Sequence, residues 1–261
     1  MFDKSIQIKV EKEDKDKYLM FYDGTIEYMS ATATGGRSTR MLMNKIIDFV
    51  KNEMKNNDPS HDFKHVERVV DLTRQIAKSE NYQGDMELLE VAAYLHDVND
   101  WKYSGSETAG VEAARLFLAD QSYPEDKIEK VCQIIQDISF KNELGNTSMK
   151  SIPIESMIVQ DADRLDAMGA VGVARTFSYG ALKKNTFYEE ETFQRTIGDK
   201  TLTKDEYMKT SRAGSSTLDH FYDKLFILKD RIKTQTGKRM AQERHQFIWI
   251  ERERDKQNNE Y

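Results

Sequence analysis

The chain has 261 residues, with 45 acidic side chains against 39 basic ones, five histidines and one cysteine. A net charge of −6 argues against a protein that grips nucleic acid by bulk charge. The lone Cys132 excludes a disulfide framework and a cysteine-based zinc site, so any metal must be held by histidine and carboxylate.

The first forty residues carry strand signals. Ile6, Ile8 and Val10 alternate with Gln7, Lys9 and Glu11, and Tyr18–Tyr22 and Thr25–Met29 flank Asp23-Gly24, a two-residue hairpin signal. Ser30 to Ser38, rich in Ala, Thr, Ser and Gly, reads as a linker. From Thr39 the apolar spacing becomes helical, with segments predicted near 39–54, 60–79, 85–95, 106–120, 125–139, 153–162, 170–184, 204–212, 215–232 and 236–256. Pro59, Pro124 and Pro153 each read as the first turn of a helix. Lys184 to Lys204 is polar and aperiodic and reads as a long loop. The expected organisation is a β appendage with its linker over 1–38 and an all-α body over 39–261, a bundle of about ten helices. Neither a signal peptide nor an apolar run of about eighteen residues is present, so a soluble cytoplasmic protein with no membrane partner is expected.

Four segments could carry chemistry. In Ser60-His61-Asp62-Phe63-Lys64-His65 the two histidines lie four apart, on one helix face. His96-Asp97 ends a helix whose Val91, Ala92, Ala93 and Leu95 are core residues. Asp161, Asp163 and Asp166 follow the apolar Met157-Ile158-Val159. His220 and Lys224 open a late helix. Any single histidine or carboxylate here more often makes a hydrogen bond or a cap than a site. Carboxylates pinned near a core nevertheless repel one another unless a cation lies between them. A divalent metal held by His65, His96, Asp97 and Asp163 resolves that conflict. Two imidazoles and two carboxylates suit Mn²⁺, Mg²⁺, Fe²⁺, Co²⁺ or Ni²⁺.

The order His…His-Asp…Asp resembles the HD superfamily of metal-dependent phosphohydrolases, and the blocks are similar to its small stand-alone YpgQ/YedJ-type members. The resemblance rests on Ser-His-Asp-x-x-His-x-x-Arg-Val at 60–69, Leu-His-Asp-Val-x-Asp-x-Lys at 95–102, Asp-Ala-Asp-Arg-Leu-Asp-Ala-Met-Gly-Ala-Val-Gly-Val-Ala-Arg-Thr-Phe at 161–177 and His-Phe-Tyr-x-Lys-Leu-x-x-Leu-Lys-Asp at 220–230. It covers roughly residues 40–258. It implies His65, His96, Asp97 and Asp163 as metal ligands, with Asp161 the runner-up for the fourth and Asp166 in support. Two-metal members of the superfamily use further histidines between the His-Asp pair and the last aspartate, and none lies between His96 and His220 here, so one ion is expected. The family points to Mn²⁺ or Mg²⁺.

Around such an ion, Asp100 is the candidate general acid or base. His61 is a second catalytic candidate, as a proton donor or phosphate ligand. Lys102, Arg175, His220 and Lys224 are candidates for substrate binding, Arg68 for orienting a carboxylate, and Arg164 and Arg175 each for either an ion pair with the acidic site or a phosphate clamp. His245 reads as a surface residue. The implied function is hydrolysis of a nucleotide or another small phosphorylated metabolite. A nucleoside triphosphate pyrophosphohydrolase is one version, and a 5′-nucleotidase-like phosphomonoesterase is an alternative. A regulatory module that binds metal or nucleotide without turnover is a third reading. Nucleic acid is disfavoured as a substrate by the acidic charge. An appended β unit often mediates association, which leaves a homodimer open.

Overall fold

A computed structural model describes residues 19–22, 25–28, 35–144, 152–196, 202–210 and 215–258. The chain divides into two units, Met1–Lys45 and Ile46–Tyr261. In the first, β1 (Leu19–Tyr22) and β2 (Thr25–Tyr28) pair antiparallel, with Leu19 opposite Tyr28 and Tyr22 opposite Thr25. The expected strand at Ile6–Val10 and the Asp23-Gly24 turn lie outside the described residues. Helix α1 (Gly35–Glu53) begins four residues before the expected Thr39. Gly35, Gly36 and Ser38 fall at its start.

The second unit is helical, and its described residues contain no strand. Helix α2 (Phe63–Ser79) starts where the Asp62 carboxylate accepts the His65 N–H at 3.1 Å, and it buries His65, Val66, Val69, Val70, Leu72, Thr73, Ile76 and Ala77 along one stripe. Helix α3 (Met86–Leu95), capped by Asp85, buries Leu88, Leu89 and every residue from Val91 to Leu95. The short α4 (Trp101–Ser104) follows, then α5 (Ala109–Asp120), α6 (Glu125–Ile138) and the short α7 (Phe140–Glu143). Helix α8 (Ile154–Asp166) is buried on nearly every side and packs against α2, α3 and α6. Helix α9 (Gly169–Lys183), α10 (Lys204–Thr210), α11 (Phe226–Leu228) and α12 (Gln235–Asn258) complete the chain, with α12 packed on both α8 and α9.

Several expectations need correction. Pro124 and Pro153 occupy the capping position before α6 and α8 rather than the first turn, and Pro59 precedes α2 by four residues. The missing N–H of proline is harmless at a cap for the same reason as in the first turn. Helix α8 runs four residues past 162 and carries the whole acidic block, because Asp161 and Asp166 both find buried donors. The expected 184–204 loop contains a 3₁₀ turn, Glu190–Gln194, closed by reciprocal bonds between Glu189 and Thr192. The 215–232 helix is broken into a π turn at Phe221–Leu225, the single turn of α11 and a 3₁₀ turn at Lys229–Arg231. No helix among the described residues is long and apolar enough to cross a membrane.

Asp161 is fully buried and anchors the loop ahead of α12. Its carboxylate accepts from Lys233 N (3.0 Å), Thr234 N (2.7 Å) and Thr234 Oγ1 (2.7 Å). Asp161→Ala leaves those donors buried and unpaired. We expect a loss of about 3 kcal/mol and a fall in Tm of about 6–12 °C, read by thermal unfolding. An unchanged Tm would remove Asp161 as the anchor.

Candidate metal centre

Three elements deliver the expected ligands to one place. His65 lies on the buried stripe of α2, His96 closes α3, and Asp163 lies on α8 between its buried neighbours. Ligand atoms of His65, His96 and Asp163 all lie within 4.8 Å of one another. His65 Nε2 is 3.4 Å from Asp163 Oδ1, and His96 Nε2 is 3.7 Å from the same oxygen. Asp97 stands at the side of this group, its Oδ2 3.6 Å from His65 Nε2.

Each imidazole has its outward nitrogen engaged. His65 Nδ1 donates to Asp166 Oδ2 (2.8 Å), and His96 Nδ1 donates to the Ala93 carbonyl (2.7 Å). Both rings therefore present Nε2 inward, which is how metal-ligating histidines are oriented. His96 Nε2 and Asp97 Oδ2 are buried and have no hydrogen-bond partner. Such atoms are costly to leave unpaired. Two ligands bonded to a small divalent ion at about 2.1 Å stand roughly 3.0–3.4 Å apart, close to the spacings here. The donor set therefore fits a divalent metal. Burial opposes a charge on His96, but Asp163 and Asp97 overcome it and raise the imidazole to about 9. The same two histidines hold the Asp163 carboxyl well below its ordinary value despite burial.

Asp166 braces the centre from behind. Besides His65, it accepts from Arg68 Nε (2.7 Å), Arg68 Nη2 (3.0 Å) and Arg175 Nη1 (2.9 Å). Burial works against its charge, but the His65 and Arg68 hydrogen bonds outweigh it and depress its pKa. Arg175 is thus already paired, and its Nε donates to the Ser60 carbonyl at 2.6 Å. Asp161 faces the loop before α12 and is not part of this group. Arg164 turns away as well, to the Arg231 carbonyl (2.8 Å) and Glu143 (2.7 Å).

Asp100 does not lie on a continuation of α3. The chain turns after His96, with Asn99 in a left-handed conformation (φ 51°), and Asp100 caps α4 by accepting Lys102 N at 3.0 Å. It still lines a cleft of about 620 Å³ together with His65, His96, Asp97 and Asp163. Burial, with Asp97 adding to it and Lys102 opposing, raises its pKa. A second cavity of about 680 Å³ adjoins this cleft, and His61, Lys102, Ala167, Arg175 and Lys224 line both. His220 lines only the second. His245 is half-buried rather than on the surface, edge-on to Phe226.

Lys141, Trp101, Phe140 and Tyr207, none of them a candidate from the sequence, also line the metal cleft. Trp101 sits beside Lys102 and was within reach of the motif. The others come from α7 and α10, which bear no signature.

Residues 62–168 match the HD domain family. An HD-superfamily hydrolase from Bacillus thuringiensis has a similar structure, at 32% identity and a TM-score of 0.59, covering 84% of this chain and 98% of that one. The chain belongs to the HD superfamily and is a metal-dependent phosphohydrolase. Within the superfamily it is similar to YpgQ of Bacillus subtilis, with 31% identity over 204 residues, 78% of this chain and 87% of YpgQ. The crystal structure of YpgQ in complex with ADP matches at a TM-score of 0.63 and 27% identity, covering 85% of this chain and 96% of that one. A Lactobacillus plantarum protein of known structure reaches a TM-score of 0.71 at 26% identity, covering 84% and 96%.

Proposed function

We propose that the protein hydrolyses a nucleotide at a single divalent ion, Mn²⁺ or Mg²⁺, held by His65, His96, Asp97 and Asp163. The observation that carries this reading is the pair of buried, unpartnered atoms, His96 Nε2 and Asp97 Oδ2, beside His65 and Asp163 in a cleft with cations in its wall. The ADP complex of YpgQ favours a nucleotide over other phosphorylated metabolites. An ion in this position supplies Lewis acidity to a phosphoryl oxygen and acidifies water.

The chain's own side chains do the rest. Lys102 and Lys224 stand in the wall common to both cavities and neutralise phosphate charge. Arg68 and Arg175 hold Asp166 ionised and so keep His65 aimed, and Arg175 also lines both cavities. Asp100 moves the proton between water and leaving group. His220 lines the second cavity and, kept neutral by burial and by Lys224, offers hydrogen bonds without charge. Purified protein loaded with Mn²⁺ or Mg²⁺ should hydrolyse nucleotides, with His96→Ala as control. Release of pyrophosphate identifies a nucleoside triphosphate pyrophosphohydrolase, and orthophosphate a phosphomonoesterase. No turnover of any nucleotide would overturn the proposal.

Lys224 gives this reading a pH signature. Burial, reinforced by Lys102, lowers its pKa to about 8. It is a cation below that value and neutral above it, so its grip on phosphate is present below pH 8 and lost as pH rises through it. We expect kcat/KM to decline above about pH 8, and Lys224→Arg to move that decline upward, because a guanidinium stays charged. An identical profile in both proteins would remove Lys224 from substrate binding.

A further inference from the structure

His61 lies four residues before His65 in the sequence, but its ring makes a different set of bonds. Lys102 Nζ stands 2.9 Å from His61 Nε2, and Ser60 Oγ stands 2.7 Å from His61 Nδ1. An ammonium can only donate, so Nε2 must be the acceptor and the ring must be neutral. The ring proton is then on Nδ1, donated to Ser60 Oγ. Tyr103 and Tyr179 stand edge-on to the ring, at centroid distances of 5.5 and 5.7 Å. Burial and the neighbouring Lys102 and Arg175 charges push the imidazole well below its ordinary pKa.

The turn that carries His61 is held by side chains at three backbone groups. Asp58 Oδ1 accepts from Ser60 N (2.9 Å), Arg175 Nε donates to the Ser60 carbonyl (2.6 Å), and Asn57 Nδ2 donates to the His61 carbonyl (2.9 Å). A ring fixed this firmly, with its only lone pair committed to an ammonium, has no nitrogen free to exchange a proton with water. It is well placed to fix the lysine. Lys102 has four flexible side-chain bonds, and its backbone is set by the Asp100 cap. One of its three N–H bonds goes to His61, which leaves two for a ligand.

We propose that His61 is a positioning residue whose neutral ring holds the Lys102 ammonium at the wall shared by the two cavities, ready for substrate phosphate. This rests on the phosphohydrolase reading above, which supplies the phosphate. The proposal assigns His61 to binding rather than to proton transfer, and it makes His61 act only through Lys102.

The test uses the Mg²⁺-loaded enzyme. His61→Ala should raise the Kd of ADP by calorimetry, and the KM of the best nucleotide substrate, by about three- to tenfold, the cost of ordering a free lysine side chain on binding. Its kcat should stay within about twofold of wild type. His61→Gln keeps an acceptor for Lys102 and should restore most of the affinity. The His61→Ala/Lys102→Met double variant should be no worse than Lys102→Met alone, since the first residue works through the second. Additive losses, or a kcat reduced about 100-fold in His61→Gln with ADP affinity intact, would overturn the proposal. Nitrogen-15 spectra of the same protein without nucleotide decide the bond itself. They should show a bare Nε2 and a protonated Nδ1 on His61 from pH 6 to 8, with the Nε2 resonance displaced in Lys102→Met. An imidazolium, or a ring protonated on Nε2, would sink the idea. If the wild type bound and hydrolysed no nucleotide, the proposed substrate would fall, while the spectra would still decide the His61–Lys102 bond.

Discussion

His96→Ala is expected to abolish both metal binding and hydrolysis while leaving the helix content unchanged. The helicity of α3 does not depend on this side chain, because the helix is anchored by Leu88, Leu89 and Val91 to Leu95 and ends before His96. What is lost is one of the two inward-facing Nε2 atoms that, with Asp163 Oδ1, form the tight group at the centre. The remaining Asp97 and Asp163 carboxylates would then face one another with only His65 between them. Asp97→Ala should behave likewise. Metal content by elemental analysis, circular dichroism and nucleotide turnover together check the expectation, and full activity in both variants would end the metal hypothesis. A pH dependence follows with a definite sign. In the metal-free protein His96 keeps its proton up to about pH 9, and an ion must displace that proton to bind Nε2. Metal affinity should therefore rise with pH toward 9, with a proton released on binding. A flat profile in the wild type would contradict this.

The parts of the site legible in the sequence are those built from side chains that share a helix face or flank an apolar run. His65 was readable because the α2 stripe places it inward with Val66 and Val69. His96 and Asp97 were readable because they end a helix that is apolar almost throughout. The choice between Asp163 and Asp161 was not readable. Two residues apart on α8 they point in different directions, and what separates them is the Lys233–Thr234 loop that approaches Asp161 from 72 and 73 residues away. Such a long-range donor leaves no periodic trace. Asp100 was legible as a candidate by its spacing of three and four residues from Asp97 and His96, but the geometry that brings it to the cleft was not. A helix continued from His96 would aim it by spacing, whereas the chain breaks at Asn99 and uses Asp100 to start α4. The break of the late helix was equally hidden. The Phe226 N–H reaches back five residues to the Phe221 carbonyl, and the sequence there has neither Gly nor Pro to announce the π turn that carries Lys224. Arg68 and Arg175 were legible as partners for carboxylates, but not that both converge on Asp166.

Asp100→Asn should retain the metal and lower the rate about 10²–10⁴-fold, the range for a lost general acid or base. The substitution is informative because it separates the two tasks of this side chain. Asparagine caps a helix nearly as well as aspartate, so Lys102 N keeps its acceptor and α4 keeps its start. Lys102 then stays at the wall of the two cavities, and affinity for ADP should change little. The amide cannot take or give the proton. Burial raises the Asp100 carboxyl above its ordinary value, which favours its taking up a proton during the reaction. A base with a raised pKa is lost as pH falls through that pKa, so the wild-type rate should drop on the acid side. In Asp100→Asn that acid limb should flatten while the decline above about pH 8 assigned to Lys224 persists. Rate–pH profiles of the two proteins, loaded with the same ion, separate these contributions. A wild-type rate in Asp100→Asn would leave Asp100 as a helix cap alone, and the proton would then have to move through water in the cleft lined by Asp97 and Asp163.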